Sequence, residues 1–291
     1  STGDAVAKGW SDAGVGKAVA KGWKDNGVMG AVSGGVKSAR AGVKSATVGG
    51  AKAASEGFSG IVDNTLGAVS AKFESGKKGV DAISTGRGDH GGVSYGKHQL
   101  ATNNGSMAKF LKSAEAAPIA AQFQGLTPGT KEFNDKYREI TSGKDRAAME
   151  SAQQAYMQRT HFEPQAAKLK ETLGMDVSKE GRAVQEAVFS TATQYGAKSD
   201  VISKALAGKD LSKMSDADKV KAIQDYKAAN VNTNFRSSSE SQRAGVAKRI
   251  EEERKVLSDI ANDPKLNKSA TKVDNVKVAD AKTEVVKPEV V

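Results

Sequence analysis

The sequence predicts a mainly α fold carrying one small β-hairpin, with flanking segments that lie outside the packed core. Three observations predict it. Stretches between residues 61 and 260 repeat apolar side chains at helical spacing. A Gly-rich stretch followed by Val93-Ser94-Tyr95 interrupts them with a loop and a short strand. Hydrophobic content of 38% and aromatic content of 5% are low for one compact core of 291 residues, so part of the chain is expected outside it.

Three regions follow in order. Residues 1–58 form an arm of Gly, Ala, Val, Lys and Ser with an internal repeat: AVAKGW at 5–10 recurs at 18–23, and VKSA at 36–39 recurs at 43–46. The seven-residue period places Val36 and Val43 on one helix face, while the glycines oppose a stable isolated helix by about 1 kcal/mol each. The arm reads as a flexible tether, as a segment that orders on a partner or larger assembly, or as a membrane-contacting helix using Trp10, Trp23 and the lysines. Residues 59–262 hold the helical domain. Residues 263–291, rich in Lys, Val, Asp and Thr, read as a disordered or partner-bound tail.

The first helix of the domain aligns Val62, Leu66, Val69 and Phe73 on one face; Asp63 and Asn64 favour its start and Gly76 its stop. Glu74 then falls in the last turn. The negative helix end and apolar neighbours would both raise a carboxyl pKa there, as a general acid working near neutrality requires. A frayed, exposed Glu is the plainer reading of this residue alone. Ser84 to Gly92, STGRGDHGG, has too many glycines for a helix and reads as a loop; Val93-Ser94-Tyr95 resumes as a strand, and Gly96 permits close backbone approach. Asp89 lies on that loop, fifteen residues after Glu74. Two such carboxyls on opposite walls of a cleft suit glycosidic cleavage: one protonates the leaving oxygen and the other activates water or stabilises the sugar cation. By itself Asp89 also reads as a turn residue bonded within its own loop.

The body that follows is helical. Phe133, Tyr137 and Ile140 share a face, and Pro164 marks a break or kink in the stretch from Ala148 to Lys170. Ser178 is placed to cap a helix running from Glu180 to Tyr195 and ended by Gly196. Ser215 to Asp218 imitate a capping box ahead of Val220, Ile223 and Tyr226. Val246, Ile250, Leu257 and Ile260 make a last amphipathic helix. These apolar sets read as core. His161 reads as a core histidine or as one reaching the groove, and Gln194 divides in the same way between a structural hydrogen bond and ligand contact.

The net charge of +10 favours a polyanionic partner, such as nucleic acid, an anionic membrane or an envelope polymer. No Arg/Lys cluster interleaved with aromatics supports nucleic-acid reading. Absence of cysteine excludes disulfides and thiolate chemistry. With three histidines in the chain, His90 and His98 make a weak metal set, and no metal is expected. No apolar run is long enough to span a bilayer, and the first residues lack the pattern of a secretory signal; Ser1 in place of Met suggests a processed or trimmed start.

The run FESG, STGRGD and GGVSYGKHQL resembles the chitosanase-like, lysozyme-fold muramidase domains found in phage virion proteins and type VI secretion spike proteins. His161 to Pro164 and Val188 to Gly196 fit the same pattern, and the resemblance covers roughly residues 60 to 262. It implies a lysozyme-like, two-lobed helical fold with a small hairpin lining the cleft. It implies Glu74 as general acid and Asp89 as general base in an inverting hydrolysis of β-1,4 bonds of peptidoglycan, with no cofactor. Tyr95, Gln99, Thr191 and Gln194 would lie near the groove. The expected carrier is a virion, through a phage tail or ejection-protein assembly, acting in the host periplasm or cell wall. The alternatives are a type VI secretion muramidase effector, a lytic transglycosylase needing only Glu74, and an inactive structural protein of a particle.

Overall fold

The computed structural model describes residues 65–86 and 92–269. The N-terminal arm, the loop 87–91 that holds Asp89 and His90, and the tail from 270 lie outside the described residues. The architecture is mainly helical with one two-stranded antiparallel sheet, in keeping with the lysozyme-like fold expected.

Helix α1 (Ala68–Ser75) opens the domain. It begins later than Asp63 and Asn64 would set it, at Gly67, whose φ of 90° is left-handed and whose Cα lies against Phe189 and Gln154, so a side chain there meets both strain and clash. Leu66 and Val69 are wholly buried, Phe73 packs partly against the core, and Gly76 ends the helix as expected. A 3-10 segment (Gly76–Asp81) leads to Ile83, which bridges Tyr95 of strand β1 (Ser94–Tyr95). Strand β2 (Leu100–Ala101) pairs back with Ser94 opposite Ala101 and Tyr95 opposite Leu100.

Helices α2 (Ser106–Leu111), α3 (Ala117–Ala120), α4 (Lys131–Ser142) and α5 (Arg146–Met157) follow. Phe133, Tyr137 and Ile140 of α4 are buried together, as their spacing predicts. The break expected at Pro164 takes the form of a π-helical turn (Gln158–Phe162) joining α5 to α6 (Glu163–Leu173), with Pro164 directly after that turn, where the backbone hydrogen-bond register changes. Helix α7 (Arg182–Tyr195) is buried along its whole length and ends at Gly196. Ser178 does not cap it. Asp176 and Ser178 bond each other in a preceding 3-10 turn, and α7 starts two residues after Glu180, with Gly181 as N-cap. Its first amides are met from afar: Asp216 accepts Gly181 N at 3.1 Å and Asn267 Oδ1 accepts Ala183 N at 2.9 Å. Asn267 thereby carries packed structure past residue 262, where the tail was expected to begin.

Helices α8 (Val201–Leu206), α9 (Asp216–Ala229), α10 (Val231–Asn234) and α11 (Glu240–Asn262) complete the fold. Ser215 and Asp218 form the capping box expected for α9, and Ser239 with Gln242 form a second one for α11. Two apolar clusters result. The larger spans α1, the hairpin, α4, α5, α7 and the C-terminal half of α11. The smaller joins Tyr195 and Val201 to Val231, Phe235, Val246 and Ile250. Among the described residues no helix is long and apolar enough to cross a membrane.

Candidate active site

Glu74 occupies the last turn of α1, as its spacing predicts. Its surroundings are not the apolar wall expected. Arg249 Nη1 donates to Glu74 Oε1 at 2.7 Å, with the glutamate side chain 22% exposed and the arginine side chain 6%. The guanidinium also lies 5.8 Å from the Phe73 ring centre. Burial works against the Arg249 cation, but Glu74 and Glu253 outweigh it and push its pKa up. The pair thus joins a buried seam. Glu253 accepts Lys227 Nζ at 2.9 Å, Gln224 Nε2 at 2.9 Å and Ser190 Oγ at 2.8 Å. Burial alone would raise the Glu253 carboxyl; Lys227 and Arg249 overcome that and hold it below its ordinary value. Composition and periodicity draw no attention to these residues. The signal was present, however: Arg249 and Glu253 fall inside the apolar stripe Val246, Ile250, Leu257, Ile260, at positions where that helix face is buried.

Asp89 lies outside the described residues. The base of its loop is described: Ser84 N donates to Ser94 O at 2.9 Å, and Ser94 N donates to Ser84 Oγ at 2.8 Å. The loop therefore springs from the strand that pairs with β2, and its lead-in follows α1 by only the short 3-10 segment.

The other predicted site residues are dispersed. Tyr95 is wholly buried in an aromatic set, 5.1 Å from Phe133 and 5.0 Å from Tyr137 between ring centres; its hydroxyl donates to Asn134 Oδ1 at 2.5 Å and accepts Gly129 N at 2.8 Å. That environment is a packed wall behind the hairpin, so the ring has no free face for a sugar. Gln99 closes the turn between β1 and β2. Its φ is 51°, uncommon for a residue with a side chain, and its Nε2 donates to Gly96 O at 2.9 Å. Gly96 makes the close approach expected of it: a Cβ there would collide with the Gln153 amide. His161 takes the core position. It is buried in the π-turn, where Thr160 Oγ1 donates to Tyr156 O and stands 2.8 Å from His161 Nδ1, so the imidazole Nδ1–H is the donor. Burial pushes its pKa down to about 4.

His98, the other member of the weak metal set, is also buried; its Nε2 faces Gln154 Oε1 at 3.0 Å and burial pushes its pKa down to about 3. Among the described residues no cluster of His, Asp and Glu could hold a metal. Thr191 and Gln194 lie buried on α7. Thr191 Oγ1 and both amide atoms of Gln194 meet no hydrogen-bond partner among the described residues. Ser190 of the same helix bonds Glu253, which lies one turn beyond Arg249 on α11. Gln194 follows Ser190 by one turn, so it shares the α7 face that meets the seam.

A mainly helical domain with one small hairpin and a partly exposed glutamate at a helix end is the class the fold defines. Comparison with known proteins places it further. The model of the family described as "Type VI secretion system spike protein VgrG3-like, C-terminal" matches residues 66–254, and the chain belongs to that family. The type VI secretion system spike protein VgrG3 of Vibrio cholerae serotype O1 is 35% identical over 198 residues, which are 68% of this chain and 19% of that relative. The chain thus spans about a fifth of the length of the spike protein it matches.

Proposed function

We propose that this chain is a peptidoglycan-cleaving glycoside hydrolase module carried by a type VI secretion spike, with Glu74 as general acid and Asp89 as general base. The carrying observation is Glu74 itself. It stands partly exposed at the end of α1 inside the family-matched region, with one carboxyl oxygen held by Arg249. In this reading Oε1 is the fixed oxygen and Oε2 delivers the proton to the leaving glycosidic oxygen. Asp89, on the loop rooted at Ser84 and Ser94, activates the attacking water.

The family and the relative favour a secretion spike over a virion as carrier, and the site of action is then the periplasm or cell wall of a target cell. The net charge of +10 favours approach to an anionic envelope. Product analysis tests the chemistry. Digestion of purified peptidoglycan should release muropeptides with free reducing ends. Products ending in a 1,6-anhydro sugar would instead assign the reaction to a lytic transglycosylase, in which Glu74 acts alone.

A further inference from the structure

Glu186 lies in the middle of α7 with no exposed surface. Its Oε1 accepts Gly67 N at 2.9 Å and its Oε2 accepts Val69 N at 3.0 Å, from residues 119 and 117 positions earlier in the chain. The N-cap of α1 supplies no side-chain acceptor of its own, so Glu186 does that work across the interface. Eight residues are too few for a helix to be stable in isolation. Helix α1 is instead held at both ends by charged side chains from other helices, Glu186 at its start and Arg249 at its end. Glu74 lies about 10 Å along the axis from the amides that Glu186 grips, at the helical rise per residue.

We propose that Glu186 is a positioning residue for Glu74, fixing through α1 the place from which that carboxyl acts. The inference rests on the hydrolase reading of Glu74. Two converging N–H donors require two acceptors. A carboxylate offers both; a protonated carboxyl or an amide offers one and turns a donor toward the other. When Glu186 takes a proton, one of the two amides therefore loses its acceptor, while the burial cost of the carboxylate is relieved. Burial pushes its pKa up to about 7, against the pull of the Val69 amide, Arg182 and the Gly67 and Ala68 amides. Arg182, one turn earlier on α7 and 4.0 Å away, is the charged side chain that bears on it most. Helix α1 faces it with backbone amides, and α5 contributes the uncharged Gln154 beside Gly67, with His98 behind it kept neutral by burial.

The test uses the full chain as wild type, Glu186→Gln and Arg182→Gln. Release of reducing ends from purified peptidoglycan is followed from about pH 5 to about pH 9, with co-sedimentation on peptidoglycan and amide exchange alongside. Glu186→Gln should slow release about tenfold near neutrality, a misplacement effect, while co-sedimenting like wild type. It should also lose the rate inflection near pH 7 and exchange faster at Val69. Arg182→Gln, which keeps both acceptors, should move that inflection to higher pH, and it serves where Glu186→Gln does not fold. Wild-type rate and wild-type exchange at Val69 in Glu186→Gln would overturn the proposal, as would an unmoved inflection in Arg182→Gln. If the wild type releases no reducing ends, the hydrolase reading fails by itself. Exchange along α1 then still decides whether Glu186 holds the helix, and unchanged exchange would refute it.

Discussion

The wall behind the hairpin and the seam behind Glu74 are equally buried and built in opposite ways. The wall is aromatic and neutral. Lys97 N donates to Gln153 Oε1, Gln153 Nε2 donates to the Tyr137 hydroxyl, and that hydroxyl donates to Val80 O, with Phe133 and Tyr95 packed around the chain. The seam is ionic: Glu74, Arg249, Glu253 and Lys227 alternate in sign across α1, α11 and α9. A neutral chain of satisfied hydrogen bonds tolerates the loss of one member for the price of that bond. Alternating buried charges do not, because removing one leaves its neighbours uncompensated.

The largest effect should come from the seam. Glu253→Ala strands Lys227 and Arg249 in the interior and should destabilise the domain by about 3–5 kcal/mol, read as a lowered urea midpoint. Replacing Glu253 and Lys227 together by Met should recover much of that loss; a double variant as unstable as Glu253→Ala would break the contrast with the wall.

Acid should act next, through the two buried histidines near the hairpin and the π-turn. Both have folded pKa values below the ordinary 6.5, at about 3 for His98 and about 4 for His161. Their neutral forms support the fold above about pH 6.5, and that support is lost as pH falls toward 4 and 3. The loss amounts to a few kcal/mol, at about 1.4 kcal/mol for each tenfold change in proton affinity between the folded and unfolded chain. Glu186 works in the opposite sense. Its folded pKa is raised to about 7, so its contribution is fully present below about 4.5 and lost as pH rises through 7. Urea midpoints measured against pH should show the acid loss reduced in His161→Gln and the loss near neutrality absent in Glu186→Gln.

A smaller effect belongs to the wall. Tyr137→Phe leaves Val80 O and the Gln153 amide each short of a partner and should cost about 1–2 kcal/mol, checked by thermal melting. The smallest expected change is Gln99→Gly. It relieves the left-handed backbone at φ 51° but gives up the bond to Gly96 O and adds freedom to the unfolded chain, so the melting temperature should barely move. Loss of hydrolysis without loss of stability would then give Gln99 the groove role that the family resemblance implies.

The same two regions explain how far the sequence could be read. The wall was legible because its residues obey a period: Phe133, Tyr137 and Ile140 are apolar, spaced for a helix and buried. Gly76, Gly96 and Ser215 were legible because stops, close approaches and capping boxes are local in the chain. The seam was half legible: Arg249 and Glu253 sit inside the apolar stripe of their own helix, but their partners Lys227 and Glu74 arrive from other helices and leave no local mark. The starts of α1 and α7 were hidden for the same reason. Their caps, Glu186 and Asn267, come from about a hundred residues away in the chain, whereas Asn64 and Ser178 merely looked suitable nearby. Tyr95 and His161 carry polar tips that suggest ligand contact, but burial and satisfied bonds assign them to the frame.

The most direct test of the account compares wild type, Glu74→Gln and Asp89→Asn on purified peptidoglycan, with products identified by mass. The account predicts that wild type releases reducing-end muropeptides and that each variant, still folded by circular dichroism, falls by about a hundredfold or more. A folded wild type that cleaves nothing, or a Glu74→Gln variant that cleaves as fast as wild type, would contradict it.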